Sequence, residues 1–439
     1  MNNTVFHLRP GGRLQGRLRV ASDKSISHRS IMLGALAEGV TEVEGFLEGA
    51  DSLATLAAFR AMGVTIEGPD AGRVRIQGVG MHGLRPPAGP LDLGNSGTSM
   101  RLLAGLLAAQ AFDATLVGDA SLSGRPMRRV TEPLARMGAR IDTTAAGTAP
   151  LHIHGGQRLR GIDYPMPMAS AQVKSCLLLA GLYAEGETCV GEPGVTRDHT
   201  ERMLQAFGYP VQVNGRRVCV QGGGRLRATR IQVPADISSA AFFLVGAAIA
   251  PDSDVLLQEV GINPTRTGVI DILQRMGADL TLLNQRMAGG EPVADIRIRS
   301  APLRGIAIPE ELVPLAIDEF PAIFVAAACA EGRTVLTGAA ELRVKESDRI
   351  QAMADGLQTL GIEARPTDDG IVIQGGQLTG GRIDSHHDHR IAMAFAMAAL
   401  RARDEIVIDH CDNVATSFPD FVELAAAAGL GIVAREVAA

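Results

Sequence analysis

The sequence contains no tryptophan and only three tyrosines, so it offers few flat surfaces on which nucleic-acid bases could stack. Its formal charge of −6 argues the same way, because a sequence-independent nucleic-acid coat needs a positive surface. The longest apolar run, residues 240–250, falls well short of the roughly 20 residues that cross a bilayer. The opening MNNTVFHLRPGG lacks the basic-then-apolar order of a secretory leader. Cysteine is scarce as well. Cys176, Cys189, Cys219, Cys329 and Cys411 are odd in number, include no CxxC pair and lie mostly among apolar residues. They predict reduced thiols in a soluble, cytoplasmic protein, not a disulfide frame. No GxxxxGK[ST] phosphate loop occurs, and GVGMHG (78–83) follows a strand without the acidic partner of a dinucleotide fold. The sharpest shortage is lysine: Lys24, Lys174 and Lys345 stand against 39 arginines.

What is present is ordinary in bulk. Hydrophobic residues at 46% and charged residues at 21% suit a globular chain with a sizeable core. A length of 439 residues, at about 150 per domain, suggests two or three domains.

One signal recurs along the chain: an apolar residue, a glycine, two variable residues and an apolar strand start. It appears at Gly63, Gly138, Gly208, Gly277, Gly361 and Gly429, spaced 68 to 84 residues apart. Glycine suits such a position because it accepts the left-handed conformation that closes a helix. Short alternating strands follow, as in RVRIQG (73–78), LHIHGG (151–156), RVCVQGG (217–223), DIRIRS (295–300) and IVIQGG (371–376). The last copy has no such strand after it, whereas VFHLRPGG (5–12) fits that description. The first strand is therefore expected to complete the last of six units. This predicts two hinged lobes, residues 1–20 plus 234–439 and an inserted 21–233. Solenoid repeats have shorter periods and do not wrap end to start.

Each unit's long apolar helix is expected to begin from small polar or charged residues. The clearest cases are SDKSISHRS (22–30), GNSGTSMR (94–101), SAQVKS (170–175), SSAAFF (238–243) and DHRIAMAF (388–395). Free backbone N–H groups and the helix dipole favour an anion at such a start. Any one of them alone reads better as a plain N-cap; five in equivalent positions of a repeat point to convergence on one cleft. Lys24, Arg29, Arg101, Arg125, Arg197, Lys345, Arg349 and Arg390 lie in these or similar motifs. A locally basic cleft in an acidic protein fits a small ligand rich in negative charge. IDEFPAIF (317–324) adds Asp318 and Glu319, and RVKESDRI (343–350) adds Glu346 between Lys345 and Arg349. A carboxylate among cations stays ionised and is ready to accept a proton. SHHDHR (385–390) holds capable metal ligands, but neighbouring residues diverge and no second ligand cluster accompanies it. LHIH (151–154) and HTER (199–202) lack one too, and no metal is expected.

Taken together, SDKSISHR, GNSGTSMRLL, GDASLSGRPM, SAQ, RDHTERML, IDEFP, RVKESDR, DHRIAMAF and TSFPDF resemble, in order, the bacterial 5-enolpyruvylshikimate-3-phosphate synthases. The resemblance implies an α/β fold of two lobes, each of three βαβαββ units, with the active site in the cleft between them. It implies transfer of the enolpyruvyl group of phosphoenolpyruvate to the 5-hydroxyl of shikimate 3-phosphate, releasing phosphate, with no metal or organic cofactor. Carried over by position, it implies shikimate-phosphate contacts from Lys24, Ser25, Arg29, Ser170, Ala171, Gln172, Arg197, Asp318 and Lys345. Phosphoenolpyruvate contacts fall on Lys24, Gly97, Arg125, Gln172, Arg349 and Arg390. Asp318 corresponds to the base near the 5-hydroxyl, Glu346 to the carboxylate acting at C3, and Lys24 to the acid. Lys174 receives no role. Glyphosate is implied to occupy the phosphoenolpyruvate site. The expected partners are the two small substrates, with neither nucleic acid nor membrane, and the chain is expected to act as a monomer.

The chain departs from the family pattern in places. Ala171 stands where much of the family has a second serine, and Arg197 resembles the cation of another branch. Thr416 and Ser417 stand where the best-known branch has lysine, and Glu341 where it has asparagine. Two rival readings remain: an enolpyruvyl transferase acting on a UDP-amino sugar, which typically brings a reactive loop cysteine, and a non-catalytic phosphate-binding repeat protein.

Overall fold

The computed structural model describes residues 3–437. All six recurrent glycines lie at positive φ, from 77° at Gly208 to 118° at Gly429, a region costly for residues that carry a Cβ. Each ends a helix and turns the chain into a strand. Between these stops the same βαβαββ order repeats. In one copy, Leu91–Asp92 pairs in parallel with Ala114–Val117, and the helix Gly97–Leu107 makes the crossover. The helix Arg128–Arg136 then leads to Arg140–Asp142, which turns back antiparallel to Leu151–His154.

The chain divides into two compact units. The terminal unit comprises the described residues up to Ala21, Pro234–Met287 and those from Glu291 onward; the inserted unit is Ser22–Val233 with Ala288–Gly290. The inserted unit carries three four-stranded sheets of one topology. The terminal unit has two such sheets and a three-stranded one, in which an isolated parallel bridge, Ala307 to Val335, takes the place of the fourth strand. At each crossing an edge strand is separated from its crossover helix. Gln15–Leu18 pairs with Asp254–Gly261, yet the next helix along the chain is Lys24–Leu36 of the inserted unit. Arg230–Gln232 pairs with Val40–Glu44, yet the next helix is Ile237–Ile249 of the terminal unit.

The strand Asn3–Gly12 runs antiparallel to both Ile406–Asp409 and Leu430–Val437, and so completes the last repeat. Phenylalanines fix it there. Phe6 stacks on Phe421 at 6.3 Å, and Phe421 in turn meets Phe418 at 5.5 Å and Phe243 at 6.2 Å. Full burial of each such side chain contributes about 1.5–3 kcal/mol.

The crossover helices form the cores. In the terminal unit, Ile237–Ile249, Phe320–Cys329 and His389–Ala398 pack on one another and are buried along almost their whole lengths. Their alanine-rich composition favours helix and lets three backbones approach. In the inserted unit, Gly97–Leu107 packs on Ala171–Gly181 so closely that a Cβ on Gly105 would lie 2.1 Å from the Cys176 carbonyl oxygen. Among the described residues, no helix is long and apolar enough to cross a membrane.

The cysteine reading needs correction. Cys189 and Cys219 form a disulfide, while Cys176, Cys329 and Cys411 are free. The cause is sheet register. The two residues face each other across antiparallel strands Glu187–Gly191 and Arg217–Gln221. The Cys189 N–H donates to Ile162 on the opposite side, so this is a non-hydrogen-bonded pair, the closer of the two kinds. Its Cα atoms are 4.1 Å apart. Thiol titration of denatured protein should therefore count three thiols without reductant and all five cysteines with it. A count of five in both would contradict the bridge.

Candidate active site

All five small-polar clusters lie at helix starts, and each of these starts has a side-chain cap. Asp23 accepts from Ile26 N, Ser96 from Ser99 N, Ser170 from Val173 N, Asp236 from Ser238 N and Asp388 from Arg390 N. A sixth, Phe320–Cys329, follows Glu319 without a side-chain cap and has proline in its first turn. These are the six crossover helices, three in each unit.

In the inserted unit, side chains link the three starts. Lys24, the first residue of its helix, places Nζ 2.9 Å from Asp51 Oδ2. Arg29, one turn on, is buried; its Nε donates to Thr200 Oγ1 at 2.7 Å and NH2 to Ser175 Oγ at 2.9 Å. Its NH1 donates to the carbonyl of Ser25, which is half-buried. Between these cations, burial first and then Lys24 and Arg29 push the His28 imidazole well below its usual pKa, so the ring is neutral. His28 Nδ1 meets Thr55 Oγ1 at 2.8 Å.

Gln172 accepts from Arg101 NH1 and donates from Nε2 to Thr98 Oγ1 at 3.2 Å. Arg125 NH2 donates to Asn95 Oδ1 at 2.7 Å. A Cβ on Gly97 would stand 3.2 Å from Arg125 NH1 and 3.3 Å from Arg101 NH1, so the absence of a methyl group keeps that backbone open beside two guanidinium groups. Ala171 is the first helical residue after Ser170, and Arg197 is half-buried just before the helix His199–Ala206.

In the terminal unit, the network centres on Arg349, whose side chain is 1% exposed. Its Nε donates to Asp388 Oδ2 at 2.8 Å, and its NH2 to Glu346 Oε2 at 2.6 Å and Asp388 Oδ1 at 3.3 Å. NH1 reaches Asp318 Oδ1 at 3.4 Å. Burial disfavours a charged guanidinium, but Asp388, Glu346 and Asp318 outweigh it and raise the Arg349 pKa. Burial likewise opposes ionisation of Asp388, yet Arg349 holds its carboxyl below the usual range.

Lys345 Nζ lies 3.5 Å from Asp318 Oδ1 and 3.6 Å from Glu341 Oε1. Arg390 NH1 donates to the Asp318 carbonyl at 2.9 Å. Glu319 is buried and accepts from Ser238, and Arg266 bonds both Asp236 and Ser238. The starts of all three helices are thus bonded to one another.

Asp388 of SHHDHR is therefore an N-cap and ion-pair partner, not a ligand. The LHIH pair does gain a third capable residue, since ligand atoms of Asp113, His152 and His154 lie within 4.8 Å of one another. Each of these already has a protein partner: Gly155 N for Asp113, Thr115 for His152 and Asp142 for His154. Sequence reading missed Asp51, Asn95, Thr98, Arg266 and the acids around Lys174. They lie far from their partners along the chain, and only their polar surroundings set them apart.

Helix starts, cations and poised carboxylates gathered in repeated units define a protein that holds small multiply charged anions and moves protons on them. Comparison with known proteins sharpens that class. The family described as EPSP synthase (3-phosphoshikimate 1-carboxyvinyltransferase) matches residues 8–424. The chain is 74% identical over 430 residues to a 3-phosphoshikimate 1-carboxyvinyltransferase of Methylococcus capsulatus, covering 98% of each. It is 71% identical to the protein of that name from Alkalilimnicola ehrlichii, over 97% of this chain and 96% of that one. Among solved structures, an EPSP synthase from Acinetobacter baumannii superposes with a TM-score of 0.89 at 63% identity, over 99% of this chain and 100% of that one. The enolpyruvyl transferase NikO from Streptomyces tendae, at 18% identity and a TM-score of 0.79 over the full length of both chains, shares the fold. The chain belongs to the EPSP synthase family.

Asp388→Asn tests the buried pair. Breaking such a pair costs about 3–5 kcal/mol, so the denaturation midpoint should fall clearly. Because the folded pKa of Asp388 is lowered, its stabilising contribution is present above the unfolded value of about 3.9 and is lost as pH falls below it. The variant should therefore show less acid-induced loss of stability than the wild type. Parallel stability curves for the two would contradict the pairing.

Proposed function

We propose that the chain transfers the enolpyruvyl group of phosphoenolpyruvate to the 5-hydroxyl of shikimate 3-phosphate and releases phosphate. The observation that carries the reading is a family match over residues 8–424, in a chain whose motif cations stand beside carboxylates in both units. Relatives at 60–74% identity carry the shikimate name, which disfavours the UDP-amino-sugar alternative.

In this reading Lys24, Ser25, Arg29, Ser170, Gln172, Arg197 and Lys345 hold shikimate 3-phosphate, with Ala171 contributing only backbone. Gly97, Arg125, Arg349 and Arg390, joined by Lys24 and Gln172, hold phosphoenolpyruvate. Asp318 takes the proton of the 5-hydroxyl as its oxygen adds to C2, C3 gains a proton from Lys24, and Glu346 is the carboxylate that later accepts a C3 proton. Loss of a C3 proton and of phosphate from the tetrahedral adduct then gives the enol ether. Several features support these roles. Lys345 stands beside Asp318 and Arg349 beside Glu346, so each carboxylate faces a cation. Four of the five Arg349 N–H donors are taken by acids of the chain, leaving one on NH1 for a substrate oxygen. Lys24 is the acid because an ammonium can release a proton where a guanidinium effectively cannot. The reading carries with it a cytoplasmic monomer acting on these two small molecules.

Phosphate release should require both substrates together, and none with UDP-N-acetylglucosamine replacing shikimate 3-phosphate. An inert protein would overturn the assignment. Glu346→Gln should bind both substrates yet lose about 10²- to 10⁴-fold in kcat; an unchanged kcat would remove Glu346 from proton transfer.

Gly97→Ala should raise the KM for phosphoenolpyruvate by about tenfold, because its methyl displaces Arg125 and Arg101 by a few tenths of an ångström. Glyphosate should inhibit the wild type and the Gly97→Ala variant far less. Equal inhibition of both would count against this placement.

A further inference from the structure

We propose that Lys174 is a positioning residue for the shikimate-phosphate part of the site, a role that rests on the functional reading above. Lys24 and Lys345 each keep a side chain 20% exposed, whereas Lys174 is 1% exposed. Its Nζ lies 2.6 Å from Glu192 Oε1 and 2.5 Å from Glu201 Oε1, and those carboxylates are 7% and 5% exposed. A charge so buried persists only when it is paired. Here one ammonium answers two acids, and burial pushes the Glu201 carboxyl up although Lys174 pulls it down.

The three charges join three segments of the inserted unit. Lys174 is one turn into the helix Ala171–Gly181, and its N–H donates to the carbonyl of Ser170. Glu192 follows the strand Glu187–Gly191 and accepts from Thr196, the residue before Arg197. Glu201 belongs to the helix His199–Ala206, next to Thr200, which accepts from Arg29. The ammonium is thus the common tie of the Ser170–Gln172 stretch, the Arg197 segment and the partner of Arg29. It touches none of the reacting atoms in this reading. A guanidinium could not replace it easily, since its planar fork spreads the donors that a single compact nitrogen brings to both acids.

The test compares the wild type with Lys174→Met and with the neutral triple variant Lys174→Met, Glu192→Gln, Glu201→Gln. Shikimate 3-phosphate binding is read by titration calorimetry, both KM values by phosphate release, and stability by Tm. Lys174→Met should weaken shikimate 3-phosphate binding by about tenfold while changing the phosphoenolpyruvate KM by less than about threefold. The triple variant should regain the wild-type Tm, because removing all three buried charges leaves none unpaired. Its shikimate 3-phosphate affinity should stay weak, because the tie is gone.

A triple variant within about threefold of wild-type affinity would overturn the positioning role, and it decides the matter even where Lys174→Met does not fold. Equal losses for the two substrates in a folded Lys174→Met would overturn it as well. A wild type that neither binds shikimate 3-phosphate nor releases phosphate would overturn the functional reading, and this role with it.

Discussion

A cation placed at the positive end of a helix is repelled by the dipole, and both units are organised around compensating that repulsion. Lys24 and Arg349 are the first residues of their helices, and Arg390 is the second of its own. Each such placement costs about 0.3–1 kcal/mol. The chain offsets it with acids that act twice. Asp388 accepts the Arg390 N–H as a cap and pairs with the Arg349 guanidinium. Asp236 accepts the Ser238 N–H as a cap and pairs with the Arg266 guanidinium. Caps that are also counter-ions bind helix starts to one another, and the site is assembled by the interactions that stabilise the fold.

The repeat makes this assembly possible because it places one kind of helix start in the same position six times. It was legible in the sequence for a local reason. A glycine that must adopt positive φ is recognisable from its neighbours, and so is a Ser or Asp cap two or three residues before its partner N–H. The partners across the fold were not legible. Asp51 meets Lys24 across 27 residues, and Thr200 meets Arg29 across 171. Such pairings depend on how helices stack, which periodicity does not encode. The Cys189–Cys219 bridge was missed for the same reason. The odd cysteine count and the absence of CxxC describe spacing along the chain, whereas the bond depends on register between strands.

Departures from the family pattern find local compensation. Glu341, where another branch has asparagine, brings an acid 3.6 Å from Lys345, so that lysine is shared between Glu341 and Asp318. Thr416 and Ser417, in place of a lysine, turn inward. Thr416 bonds the Asn413 carbonyl, and Ser417 meets His389 Nε2 at 3.2 Å. The segment before Phe418 is therefore tied to the start of the helix His389–Ala398 by the neutral Ser417 hydroxyl rather than offering a charge.

The scarcity of lysine has a physical reading in this setting. Arginine suits sites where several acceptors surround a planar group, as Arg349 shows with three carboxylates and Arg29 with two hydroxyls and a carbonyl. Each lysine instead puts a single compact nitrogen against one or two carboxylates. Lys24 reaches Asp51 on another helix, Lys345 lies between Asp318 and Glu341, and Lys174 meets Glu192 and Glu201. Exposure then divides the three. Lys24 and Lys345 keep part of their side chains exposed. The buried one has its acids already in place, and its contribution is to fix the groups that do the binding.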